Sequence, residues 1–197
     1  MKKFYLMLFV FIAIAMSSCH KDVMDRTIFI PDENDDKLPE YSEWGYNSFG
    51  AEYERDYFLV SNSIIPCKIM YSDNKLQFSL HGRIRSSTEE MTLVFIFPLE
   101  QISSYEDLIR LNNVKINLSN ADCTVKIFKY NQEVTLNILK GNLHFKRTQL
   151  LNIDDAPNRV ILSGVFDLSF LYNSFPTSIS NGRFDLGIVD KIFYSND

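Results

Sequence analysis

Four oxygen-bearing residues are spaced as a cation site would need. Asp32, Asn34, Asp36 and Glu43 fall at positions 1, 3, 5 and 12 of a calcium loop of the EF-hand type, and calcium takes six or more oxygens on a flexible loop. The sixth position, where glycine makes the sharp turn, is Lys37; Pro39 interrupts the run, and no helix pattern flanks it. A solvated acidic stretch is therefore the expectation, with no metal. The three histidines, His20, His81 and His144, are isolated and lack the paired spacing of a zinc site. Ser163-Gly164 lacks the preceding glycine of a Gly-x-Ser-x-Gly elbow. Asp167 and Asp185 could face one another as the acid pair of a glycosidase, but acids on the polar face of an alternating strand are the ordinary case. Neither an enzyme nor a cofactor is expected.

Thiols and aromatics complete the inventory. Cys67 and Cys123 would form an even pair if Cys19 is modified. They could bridge in an oxidising compartment or stay as two separate small apolar residues. Sequence leaves both open, because a bridge requires Cα atoms within ~7 Å. Trp44, Tyr46, Phe49, Tyr53, Tyr57 and Phe58 crowd one stretch. Exposed, Trp44, Tyr46, Tyr53 and Tyr57 would make a platform for sugar rings or a partner. Buried, the stretch would plug one end of the domain, and burial is the commoner fate of such side chains.

The N-terminus carries an address. Met1-Lys2-Lys3 is followed by an apolar run from Phe4 to Met16, and Met16-Ser17-Ser18-Cys19 closes it. That layout is a leader cut by the lipoprotein route, with residues 1–18 removed and Cys19 acylated. A membrane-spanning helix would need about 20 apolar residues. The expected partner of Cys19 is thus a lipid bilayer. Residues 19–43 read as an acidic, flexible tether, kept extended by self-repelling carboxylates. Residues 44–197 read as a single domain.

Removing Lys2 and Lys3 from 20 basic residues leaves 18 against 25 acidic ones, a formal charge of −7. Nucleic-acid binding wants a basic footprint that is missing here, and no Lys/Arg block suits anionic lipid heads. Sixteen Phe and 10 Tyr against 7 Gly describe a packed domain.

The elements that must carry these residues are strands. Leu76, Phe78 and Leu80 alternate with Gln77, Ser79 and His81, as do Phe166, Leu168 and Phe170 with Asp167 and Ser169, and Phe184, Leu186 and Ile188 with Arg183, Asp185 and Gly187. Ser72-Asp73-Asn74 and Asn131-Gln132 are turn pieces, while Asn181-Gly182 is either a turn or a bulge inside one long strand. One short helix is predicted over 104–111, from the capping-box spacing of Ser104 and Asp107. The fold class is all-β: an antiparallel β-sandwich or a partly closed barrel.

Two segments carry a family resemblance. Leu38-Pro39-Glu40 followed by Gly45-Tyr46-Asn47-Ser48-Phe49-Gly50-Ala51, and Ser180-Asn181-Gly182-Arg183-Phe184-Asp185 near the other end, resemble the opening and closing motifs of small Bacteroidetes-type outer-membrane lipoproteins. Ser48 stands where Thr is usual, and Glu54-Arg55-Asp56 where an Asn-Gly turn is usual. The resemblance implies a β-rich, lipid-anchored outer-membrane protein, facing either the cell surface or the periplasm, with no catalytic residues to carry over. Physically, Gly50 would let a neighbouring chain approach closely, and Arg183 and Asp185 share one strand face. A non-enzymatic binding or accessory module, engaging a glycan or an envelope protein, is the first expectation. An adhesive, pilus-like subunit pairing through an edge strand is the second, and a hydrolase the last.

Overall fold

Period-two burial runs through the chain: Cys67, Ile69 and Tyr71 are buried on one strand, and Leu76, Phe78 and Leu80 on the next. A computed structural model describes residues 26–61, 66–87, 89–153 and 156–195. The leader and Cys19 lie outside the described residues. The strands are β1 Ser48–Tyr53, β2 Asp56–Val60, β3 Cys67–Ser72, β4 Lys75–Ile84, β5 Glu90–Pro98, β6 Val114–Asn117, β7 Thr124–Lys129, β8 Gln132–Thr135, β9 Asn137–Ile153, β10 Ala156–Tyr172, β11 Phe175–Ile188 and β12 Phe193–Ser195.

They form one 12-stranded sheet in the order β6-β9-β10-β11-β1-β2-β4-β5-β7-β8, with β3 on β4 and β12 on β3. Every pairing is antiparallel except β12 with β3. The fold is all-β, as expected, but it is a single curled sheet and not two stacked ones. The half-closed form prevails because its two wings meet across one aromatic core.

Phe78 on β4 and Phe145 on β9 lie five places apart in the sheet, about 24 Å if the sheet were flat. Their ring centroids are nonetheless 5.6 Å apart. Phe184 of β11 sits between them, 5.2 Å from Phe78 and 5.5 Å from Phe145. Curling is what buries these rings. Register shifts in β9 and β10, at Ser163/Gly164 and Ser169/Phe170, let both 17-residue strands bend. At Gly164 a Cβ would stand 2.2 Å from the His144 carbonyl oxygen and 2.5 Å from Phe184 Cζ, so the ring lies where any side chain would be.

Asp73-Asn74, Tyr130-Asn131 and Asn173-Ser174 make tight hairpins through positive φ at both central residues. Asn181 (φ 51) is a bulge within the continuous strand β11. The expected helix is present as a 3₁₀ helix, Tyr105–Leu111, with Ser104 as its N-cap. The Asp107 carboxylate accepts from the Ser103 and Ser104 N–H groups at 2.8 and 3.1 Å. Three residues per turn put Leu108 and Leu111 into the core and leave Ile109 exposed, where a 3.6-residue period would have turned Ile109 inward.

Cys67 and Cys123 are free thiols, which closes the question of a bridge. Cys67 lies in the row Leu80–Leu93–Ile127, and three strand spacings, about 14 Å along the sheet, separate β3 from β7. That exceeds the reach of a disulfide. Burial pushes the Cys67 thiol up to about 12.

Two outcomes are expected. Gly164→Ala should cost about 2 kcal/mol through overpacking, read as a melting temperature lower by about 5 °C. Of the two cysteines among the described residues, native protein should react with a thiol reagent at Cys123 only, and denatured, unreduced protein at Cys67 as well.

Candidate functional site

The convex face of β1, β10 and β11 presents small or polar residues: Gly50, Ser163, Asp185 and Gly187. Residues 28–47 run across this face as a strap. Asp185, 1% exposed, is its clamp. Its carboxylate accepts the Gly45 N–H at 2.8 Å, the Tyr46 N–H at 3.1 Å and the Trp44 N–H at 3.2 Å. It also accepts the Ser163 hydroxyl at 2.9 Å and the hydroxyl of Ser42. Three consecutive main-chain donors converge on one carboxylate because Gly45 adopts φ 75, a conformation glycine takes without steric cost. Just beyond, Asn47 Oδ1 accepts the Gly187 N–H at 2.9 Å.

A second fastening lies one pleat along. Arg183 pairs through Nη1 with Asp32 and donates to the Pro39 carbonyl at 3.4 Å. Pro39 covers Gly50, where a Cβ would stand only 2.4 Å from Pro39 Cδ, and Leu38 is 1% exposed. The strap folds back on itself through Asp32 N–H to Leu38 O and Glu40 N–H to Ile30 O, at 2.9 and 2.7 Å. The expected flexible tether is thus docked from Ile28 onward. Its acids have partners that oppose self-repulsion: Arg183 for Asp32, and the Tyr57 hydroxyl for Asp35 at 3.1 Å.

The calcium spacing belongs to this turn. Asp32 Oδ1 accepts the Asn34 and Asp35 N–H groups at 2.8 and 3.3 Å, and its other oxygen faces Arg183. The Asn34 N–H, and then Arg183, hold the Asp32 carboxyl below its ordinary value.

The remaining sequence candidates separate. Asp167 is exposed opposite Asn142, whereas Asp185 is opposite Ser163, so the two acids do not face each other. His81 Nδ1 lies 3.0 Å from Thr92 Oγ1, and burial lowers its pKa. His144 Nε2 lies 3.2 Å from Asn113 Oδ1, on β9, five places along the sheet from the β4 of His81.

The aromatic platform does not assemble as one surface. Trp44 (74% exposed) and Tyr46 line a cleft of about 160 Å³ in the strap, with Ile28, Ile30, Glu40 and Tyr41. Burial, and then its bond to Glu43, push the Tyr41 phenol well above its usual range, so it remains a donor. Tyr57 is held under the strap, its ring approached by Lys37 at 5.3 Å and Arg85 at 5.9 Å. Phe49 and Phe58 are core, 5.0 Å apart.

Tyr53 lines a different surface. At the end of the half-barrel that carries the β1–β2 turn, two shallow grooves of about 460 and 640 Å³ meet at Glu54 and Arg55. The first runs over Asp56, Ser86, Glu89 and Lys129, the second over Ser169 and Pro176–Ser178. Tyr130 (67% exposed) and Phe175 (73%) stand at the neighbouring hairpins. No sequence pattern marks this surface, because four separate hairpins supply its residues. Nor does any spacing mark Ser42 and Ser163 as partners of Asp185.

The fold and its fastenings define an all-β half-barrel closed on its convex side by an N-terminal strap. Compared with protein-family models, with curated proteins and with solved structures, the chain has no significant match.

Asp185→Ala should cost roughly 2–4 kcal/mol, since it orphans several buried donors at once, and should open residues 28–47 to proteases. The Asp32–Arg183 fastening should follow pH. With the folded pKa of Asp32 below its ordinary 3.8, its stabilisation is complete above that pH and is lost as pH falls through the lower folded value. Limited proteolysis of the strap by pepsin, scanned downward from pH 5, should show strap cleavage rising only below about pH 4.

Proposed function

We propose that this chain is a lipid-anchored, non-enzymatic binding module of the outer membrane, held by acylated Cys19, which engages a neighbouring envelope protein through the grooves around Glu54 and Arg55. The mixed charge of that surface carries the reading. Glu54, Arg55, Asp56, Glu89 and Lys129 bring charges of both signs to a shallow, open floor, flanked by exposed aromatics. Charges of both signs with an aromatic rim suit a polypeptide surface better than a neutral sugar chain. Loops on a rigid β-scaffold are the usual carriers of such recognition.

The adhesive alternative needs a long free edge. The outermost strands of the main sheet, β6 and β8, are four residues each, short in the way that natural sheets blunt their edges, but β6 pairs with only Asn142–Phe145 of the 17-residue β9, and the rest of that edge is what strand addition would use. The mixed charge of the grooves is why strand addition stands second.

Two experiments test the proposal. Cys19→Ser protein should leave the membrane fraction, and its retention after a salt wash would end the lipid-anchor reading. A photo-crosslinking residue in place of Arg55 should trap one envelope protein on intact cells, and Arg55→Glu should weaken that complex roughly tenfold, mainly through slower association. Trapping of glycan alone would overturn the choice of partner.

A further inference from the structure

Ile28, Phe29 and Ile30 are three consecutive large apolar residues, each 39–44% exposed, and Trp44 is 74% exposed. Ile28, Ile30 and Trp44 are one patch, because they line the same cleft with Tyr46, and Phe29 is exposed between the two isoleucines in sequence. They are also held in place. The Ile28 N–H donates to the Tyr46 carbonyl at 2.8 Å, the Ile30 carbonyl accepts from Glu40, and the main-chain N–H of Trp44 donates to Asp185. Folding alone does not require this: the strap is fastened by Leu38, Pro39, Arg183 and Asp185, while these side chains face outward.

The chain's path indicates the occupant. Eight residues lie between Cys19 and Ile28, and whatever their conformation the nine steps from one to the other reach at most about 30 Å. An acyl group on Cys19 would therefore keep the patch within one short segment of the bilayer. Tryptophan favours the headgroup boundary, where its ring is apolar and its N–H is wet. Nearby charge selects the kind of surface. Charge beside the cleft is of both signs, with Glu40 in its lining and Lys146 4.4 Å from the Tyr41 ring that also lines it, while Asp32 is paired with Arg183, so attraction to anionic headgroups is not the driving term. Apolar contact with a neutral, zwitterionic interface is.

From this juxtaposition we infer that the Ile28–Ile30 and Trp44 patch rests in the interface of the membrane that holds the lipid, laying the domain on its strap and turning the Glu54–Arg55 grooves toward partners. The inference relies on the acylation of Cys19 proposed above. The acyl chains on Cys19 would supply the hold on the bilayer, and the patch would set how the domain lies on it.

Trp44 is the only tryptophan in the chain, so its emission reports on this patch alone. The test uses acylated full-length protein in phosphatidylcholine vesicles containing brominated lipid, with the unacylated Cys19→Ser protein as reference. Trp44 emission should shift to the blue and be quenched by the brominated chains, while losing access to aqueous acrylamide. Quenching should be independent of salt. It should fall in an Ile28→Asn/Ile30→Asn variant and in Phe29→Ser, and be retained in Phe29→Leu.

Protein that floats with the vesicles yet keeps the acrylamide access of the soluble reference would overturn the inference and leave the anchor standing. Protein that fails to float would remove both. Protection of Trp44 that grows with protein concentration, without vesicles, would assign the patch to a second copy of the chain instead.

Discussion

A buried carboxylate that accepts three main-chain N–H groups and two hydroxyls holds the two ends of this domain together. Charge in an apolar setting is costly unless hydrogen bonds replace the lost water, and Asp185 is surrounded by donors on both sides: Trp44, Gly45, Tyr46 and Ser42 from the strap, Ser163 from β10. The arrangement is reciprocal. The strap needs an acceptor for donors it cannot satisfy internally, and the carboxylate needs the strap to exclude water without being left unpaired. Removing either would expose the other, so strap and sheet are fastened as a unit.

That fastening explains the composition of the convex face. A strap lying flat on a sheet needs small residues beneath it, and Gly50 is so close to Pro39 that no side chain fits. On the concave face the demand is opposite. One curled sheet has no second sheet to pack on, so its own wings supply both sides of the core, with Phe78, Phe145 and Phe184 in mutual contact. Ten buried phenylalanines among the described residues meet that demand, because large, rigid groups fill a wide interior from a single layer.

Strand content was legible from alternation, because burial on one face imposes period two wherever the sheet has a solvent side. The helix over 104–111 was legible from Ser104 and Asp107, although its tighter winding was not; capping chemistry is local, whereas the choice between Ile109 and Leu111 as the buried residue depends on what packs above. Curl and sheet order were hidden, since alternation is identical in a sandwich and a half-barrel. The docking of residues 28–43 was not legible because their charges suggested solvation. Arg183 and Tyr57, which neutralise or bond those acids, are distant in sequence. The two terminal motifs did stand out as a pair. Their residues meet along β1 and β11, Ser48 opposite Asp185 and Gly50 opposite Arg183, so what looked like two signals is one contact.

The placement of that contact has a mechanical consequence. A pull applied through the N-terminal segment does not reach the sheet by unzipping a strand from its end. It arrives at Arg183 and Asp185, in the interior of β11, where several hydrogen bonds lie side by side and share the load in shear. Beneath them β11 is flanked by β10 on one side and β1 on the other. A domain tethered at its N-terminus in moving fluid would thus carry drag on its most embedded strand and keep the distant hairpins unloaded.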